Sequence, residues 1–154
     1  MGLVDVHAID IAGEPSPIIT KEYWDYAILG EILEHVDNPC LFLKRIRNNY
    51  PTNIGHIIVT VPNALSYANV KNSKKDREFI NTDHRYWFTP FTLAKVAVEA
   101  GYTPTEFFLC DYGRQRTGYK SLRIYHVFNR IFRLVTGRRY IRNGTLVMIL
   151  KLNT

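Results

Sequence analysis

Cysteine is scarce in this chain. Cys40 and Cys110 are the only two among 154 residues, and they stand far apart with no C-x-x-C spacing. That argues against a disulfide framework and a cysteine-built zinc site, and leaves two reduced, partly buried thiols as the expectation. Long apolar runs are missing as well. No stretch reaches the roughly 18 residues that a membrane-spanning helix requires, so no transmembrane segment is expected. The first ten residues lack the basic start of a secretory leader and carry Asp5 and Asp10, which makes a cytoplasmic protein the expectation. Acidic residues are outnumbered, 14 against 20 Lys and Arg, for a formal net charge of +6. The surplus suits an anionic partner such as nucleic acid, a phosphorylated sugar or an acidic membrane surface, without choosing among them.

What is present is the composition of one globular domain, 46% hydrophobic and 22% charged, enough for a real core and too apolar for a disordered tail. No internal repeat or domain boundary appears. Residues 3–10 alternate like a strand, and Gly13, Pro15 and Pro17 then break the chain. A second strand is expected over residues 23–29, its Ala27-Ile28-Leu29 run suited to burial on both faces, with Gly30 letting the backbone turn. Residues 31–50 read as a helix with Val36, Leu41, Leu43 and Ile46 inward. On such a helix Glu31, Glu34 and His35, at i, i+3 and i+4, would share one face just beyond a strand's carboxyl end, where open parallel sheets bind ligands. Residues 55–63 form a third, almost wholly apolar strand stopped by Pro62-Asn63.

The polar stretch 64–82 carries Lys71, Lys74, Lys75 and Arg77 and reads as a lid or binding loop. Thr89 as N-cap and Pro90 at the first helical position open a helix through Ala100, which Gly101 closes. A strand is expected over 105–111, a glycine- and arginine-containing loop over 113–120, a basic amphipathic helix over 121–136 and a last strand over 145–152. The amphipathic helix is expected to pack on its own sheet in preference to a membrane.

The strand Asp25-Tyr26-Ala27-Ile28-Leu29-Gly30 running into Glu31-Ile32-Leu33-Glu34-His35-Val36, then Val61-Pro62-Asn63, then Asp83-His84 through Phe88-Thr89-Pro90 to Ala100-Gly101-Tyr102, resembles the class I S-adenosylmethionine-dependent methyltransferases. It is closest to the ubiquinone-pathway O-methyltransferases and those of glycan clusters. The resemblance implies a Rossmann-like α/β sheet and S-adenosylmethionine as methyl donor. By it, Asp10 and Ile11 correspond to the residues that contact the donor's adenine, and Leu29, Gly30 and Glu31 lie beside its methionine part. The family's opening strand and glycine-rich G-x-G-x-G turn have no counterpart, since no G-x-G occurs here. Residues 1–154 are therefore expected to be a single partial domain, N-terminally truncated, without the family's strands 1 and 2. In the family's sheet order 3-2-1-4-5-7-6, the 23–29 strand then loses its neighbour. Either the first strand moves in beside it, or it exposes an apolar edge that invites self-association.

Glu31, Glu34, His35 and His84 resemble the divalent-metal set of small-RNA 3′-terminal 2′-O-methyltransferases, with Mg or Mn as the ion. The alternatives are His35 or His84 as a metal-free general base, or a purely structural cluster. Three functions follow: O-methylation of a small molecule, sugar or lipid precursor; RNA 2′-O-methylation, made the less favoured by the Asp76 and Glu78 carried in the basic loop; and a catalytically silent remnant without the donor-binding loop.

Overall fold

The structure, a computed structural model, describes residues 7–78, 81–110 and 144–152. Its element order is α1 (Pro17–Thr20), β1 (Trp24–Gly30), α2 (Pro39–Asn49), β2 (Ile54–Pro62), α3 (Tyr67–Ser73), α4 (Pro90–Glu99), β3 (Tyr102–Cys110) and β4 (Thr145–Leu152). The four strands form one sheet in the order β1-β2-β4-β3. β1 and β2 run parallel, with Tyr26 opposite His56 and Ile28 opposite Ile58. β4 is antiparallel to both β2 and β3. This is the 4-5-7-6 half of the expected sheet, a Rossmann-like α/β arrangement.

Alternation along the strands decides where the core sits. Leu29, then Ile57, Val59 and Val61, then Leu146, Met148 and Leu150 all point to one face and are buried there. Leu43 and Ile46 of α2, Leu93 and Ala97 of α4, and Tyr102 complete the same cluster. The Tyr102 phenol, pushed upward in pKa by burial, donates to the Leu43 carbonyl at 3.3 Å and ties β3 to α2.

Several expectations are corrected. The helix expected from Glu31 begins only at Pro39, because Asn38 is extended and its side chain accepts from the Leu41 amide, a start signal completed by proline at the first position. Leu41, expected inside, is 45% exposed. The stretch 64–82 contains helix α3, capped by Ser66, whose hydroxyl accepts from the Asn69 amide. The strand expected at 105–111 begins at Tyr102 and carries an irregularity between Pro104 and Glu106. Residues 7–10 form no strand, and residues 1–6 lie outside the described set, as do the expected loop 113–120 and amphipathic helix 121–136. Thr89, Pro90 and Gly101 bound α4 as expected: Thr89 and Thr92 form a reciprocal capping box, and Gly101 takes φ +89°. Cys40 and Cys110 are both half-buried. Among the described residues no helix is long and apolar enough to cross a membrane.

Candidate active site

Beyond the carboxyl end of β1 the chain turns sharply. Glu31 adopts φ +53°, a left-handed conformation that costs a non-glycine residue about 1 kcal/mol and must be held by its surroundings. Thr60 of β2 holds it. The Glu31 amide donates to the Thr60 carbonyl at 2.9 Å and also lies 3.1 Å from Thr60 Oγ1, while the Thr60 hydroxyl donates to Glu31 Oε1 at 3.1 Å. Residues 31–38 are a series of turns, so the shared helical face expected for Glu31, Glu34 and His35 does not exist. Glu31 is directed toward β2, and Glu34 and His35 toward a loop from much later in the chain.

That loop, residues 83–86, is stitched to the turn at four points. The Arg85 amide donates to the Glu34 carbonyl at 2.7 Å, and the Tyr86 hydroxyl to the Asp37 carbonyl at 2.6 Å. Arg85 also pairs with the Asp37 carboxylate, and His35 Nδ1 lies 3.1 Å from the Asp83 carbonyl. The loop itself is anchored beyond β2, where the Ala64 amide donates to the Phe88 carbonyl. His84 is thereby brought against His35, their rings edge to face with centroids 4.7 Å apart.

Glu34, His35 and His84 each offer a ligand atom, and these atoms lie within 4.8 Å of one another. Glu31, the fourth member of the expected set, stands outside this group. Glu34 is 0% exposed, and neither of its carboxylate oxygens has a hydrogen-bond partner. Burial raises its pKa to about 7; the charge of Glu31 adds to the rise and His35 opposes it. The Asp83 carbonyl can only accept, so His35 Nδ1 carries the proton of that contact, and in the neutral ring Nε2 holds the lone pair. His35 Nε2 faces Glu34 Oε1 across 3.9 Å, too long for a hydrogen bond. A buried carboxylate facing the lone pair of a half-exposed imidazole suits a proton or a cation between them. A carboxylate with two imidazoles is a donor set that suits a divalent ion.

On its other side His84 borders a cleft of about 200 Å³, shared with Ser66, Asn69, Asn81, Trp87 and Gly144. The expected donor-binding residues are not all brought together. Gly30 and Glu31 stand at the carboxyl end of β1, with the Leu29 side chain buried in the core. Asp10 closes its own turn, Oδ1 accepting from the Ala12 amide. The Gly13 carbonyl in that turn accepts from Asn49, and the Ser16 amide donates to Tyr50, which places Asp10 and Ile11 near the end of α2 and away from Glu31. Gly30 and Glu31 thus stand together beyond β1, and Asp10 and Ile11 do not join them. Thr60, Arg85 and Tyr86 escape sequence reasoning. A lone hydroxyl in the apolar run Val59-Thr60-Val61 is the one signal that could have marked Thr60.

Comparison with known proteins follows the same outline. The profile of a family described as "Methyltransferase domain" matches residues 4–106. No curated protein matches the sequence significantly. Among solved structures, a small RNA methyltransferase is similar with TM-score 0.55 and 15% identity, over 94% of this chain and 15% of that one. A SAM-dependent methyltransferase from Archaeoglobus fulgidus is similar with TM-score 0.50 and 15% identity, over 96% of this chain and 67% of that one. Magnesium protoporphyrin IX methyltransferase from Synechocystis with bound SAH gives TM-score 0.51 and 10% identity, over 94% of this chain and 49% of that one. At these identities the likeness is one of fold. The chain spans only part of each.

Proposed function

Because the chain belongs to the methyltransferase domain family, we propose that it forms the acceptor side of an S-adenosylmethionine-dependent O-methyltransferase acting on a small molecule, sugar or lipid precursor. The observation that carries this reading is the Glu34, His35 and His84 cluster placed beyond the carboxyl ends of β1 and β2, beside a cleft of about 200 Å³. A hydroxylated ring is of the right size for that cleft, with Trp87 as a flat wall and Ser66, Asn69 and Asn81 as polar contacts. His84, the member of the cluster that lines the cleft, takes the acceptor's hydroxyl proton while the acceptor oxygen bonds to the donor's methyl carbon and the carbon–sulfur bond breaks. His35, held through Nδ1–H by the Asp83 carbonyl, packs edge to face on the His84 ring, and Glu34 beside the pair stabilises the imidazolium that results.

A second reading is favoured by the unpartnered Glu34 oxygens: Glu34, His35 and His84 hold a divalent ion such as Mg or Mn, and the acceptor is an RNA 2′-hydroxyl. The likeness to a small RNA methyltransferase supports it. Such an ion supplies Lewis acidity that lowers the pKa of the acceptor hydroxyl.

The test is isothermal titration of the whole chain with S-adenosylhomocysteine, with and without manganese. Saturable binding is expected. Binding strengthened by manganese and lost from that dependence in His84→Ala selects the second reading, and unchanged binding with manganese selects the first. Absence of binding up to millimolar ligand overturns both and leaves a silent remnant.

A further inference from the structure

Strand β1 ends the sheet without a neighbour. It pairs with β2 on one side, and no other strand among the described residues lies along its second edge. The Trp24 amide donates to the Asn53 carbonyl at 2.7 Å, on the β2 side. In a parallel ladder the backbone groups of successive residues alternate between the two edges, so Asp25, Ala27 and Leu29 turn theirs to the open one. The side chains that β1 turns away from the core are largely exposed: Trp24, whose indole donates to the Ile19 carbonyl, Tyr26, stacked on His56, and Ile28 are 43%, 56% and 69% exposed. The strand itself carries none of the usual edge protections. The strand has no proline, no lysine and no register irregularity, and Asp25 is its single charge.

We propose that β1 pairs antiparallel with β1 of a second copy about a two-fold axis through Ala27, joining the two four-stranded sheets into one continuous sheet. The strand's own sequence selects this occupant. Centred on Ala27, the pairing sets Tyr26 against Ile28 of the second copy, an aromatic–aliphatic pair repeated by symmetry. Trp24 falls opposite Gly30, where its ring covers backbone that has no side chain. Asp25 falls opposite Leu29, so the two Asp25 carboxylates stand four positions apart in the ladder, about 13 Å, beyond the screening length at physiological salt. A parallel in-register stack would set Asp25 against Asp25 and leave a further edge open, whereas the two-fold contact closes. The backbone agrees with the side chains, since the residues that turn their groups outward, Asp25, Ala27 and Leu29, are those that meet one another in this register.

The axis runs perpendicular to the sheet, so both helical layers lie on one side. On the other side Tyr26 and Ile28 of the two copies meet, and the row from Ile28 through Ile58 to Ile149 extends the apolar strip inward on each. Association through β1 requires no methyl donor, so failure of donor binding leaves it standing.

Sedimentation velocity on the full chain from micromolar to millimolar concentration tests the pairing. A dimer is expected to grow in with concentration. Ile28→Lys, which sets two lysines beside Tyr26 of the opposite copy, lowers the association constant on the order of tenfold. Val98→Lys, on the surface of α4 and 58% exposed, leaves it unchanged. Amide exchange at Asp25, Ala27 and Leu29 of the unaltered chain slows as concentration rises. A monomer across the whole range overturns the proposal, as does a dimer indifferent to Ile28→Lys or one that leaves those three amides unprotected.

Discussion

Glu34 is where burial and charge conflict most. Its folded-state pKa, about 7, lies above the ordinary value of 4.5, so between these values the folded chain holds a proton that the unfolded chain releases. The stabilisation is full below the unfolded pKa and is lost as pH rises through about 7. Urea unfolding should therefore show the protein weakening between about pH 5 and about pH 8, by up to about 3 kcal/mol more than Glu34→Gln does over the same interval. On the second reading a divalent ion at the cluster would replace the proton, and manganese at alkaline pH would then raise the unfolding midpoint of the unaltered chain and not of Glu34→Gln. No such rise means that the cluster binds no manganese. Nearby, Thr60→Val removes the hydroxyl that bridges to Glu31 and should cost about 1 kcal/mol, read from the same unfolding curves. Glu34, His35 and His84 were legible in the sequence as an acidic and imidazole set. That Glu31 leaves the set was not, because its left-handed turn depends on Thr60, twenty-nine residues away.

Among the elements, α4 was the most legible and the Glu31 helix the least, for the same kind of local reason. Thr89, Pro90 and Gly101 are start and stop signals that act within one turn, and the structure uses each of them. Thr89→Ala removes the half of the capping box in which the Thr89 hydroxyl accepts from the Thr92 amide, and should lower stability by about 1 kcal/mol. Gly101→Ala should cost at least as much, since φ +89° disfavours any side chain and the new Cβ would fall 2.9 Å from the Arg47 guanidinium. Thermal melts of the two variants check both values. Asn38-Pro39 is an equally good start signal, yet the i, i+3, i+4 spacing of Glu31, Glu34 and His35 suggests a helix eight residues too early. Periodicity in a short charged stretch is weaker information than a cap followed by proline.

For the molecule as a whole, charge and site make different demands. A net charge of +6 permits RNA binding, but exposed acidic side chains are mixed with the lysines after α3. The small-acceptor reading expects single-stranded RNA to bind no more tightly than about 10⁻⁶ M at physiological salt, weakening steeply as salt rises. Affinity well beyond that, falling steeply as salt rises, would favour the RNA reading. The sheet order β1-β2-β4-β3 follows the expected succession, and among the described residues no strand lies along the second edge of β1, while most of the first strand expected to move in beside it, residues 3–6, lies outside them.

By itself the sequence determined the strands of the sheet, the caps of α4, the family and the residue types of the site. These depend on apolar alternation and on contacts within a turn or two, which a linear pattern records. Only the tertiary structure decided that Glu34 is buried without a partner, that the Asp83 carbonyl sets the tautomer of His35, and that Asp10 lies apart from Glu31. Those facts arise where segments some twenty to fifty residues apart meet, and no local pattern encodes the distance between them.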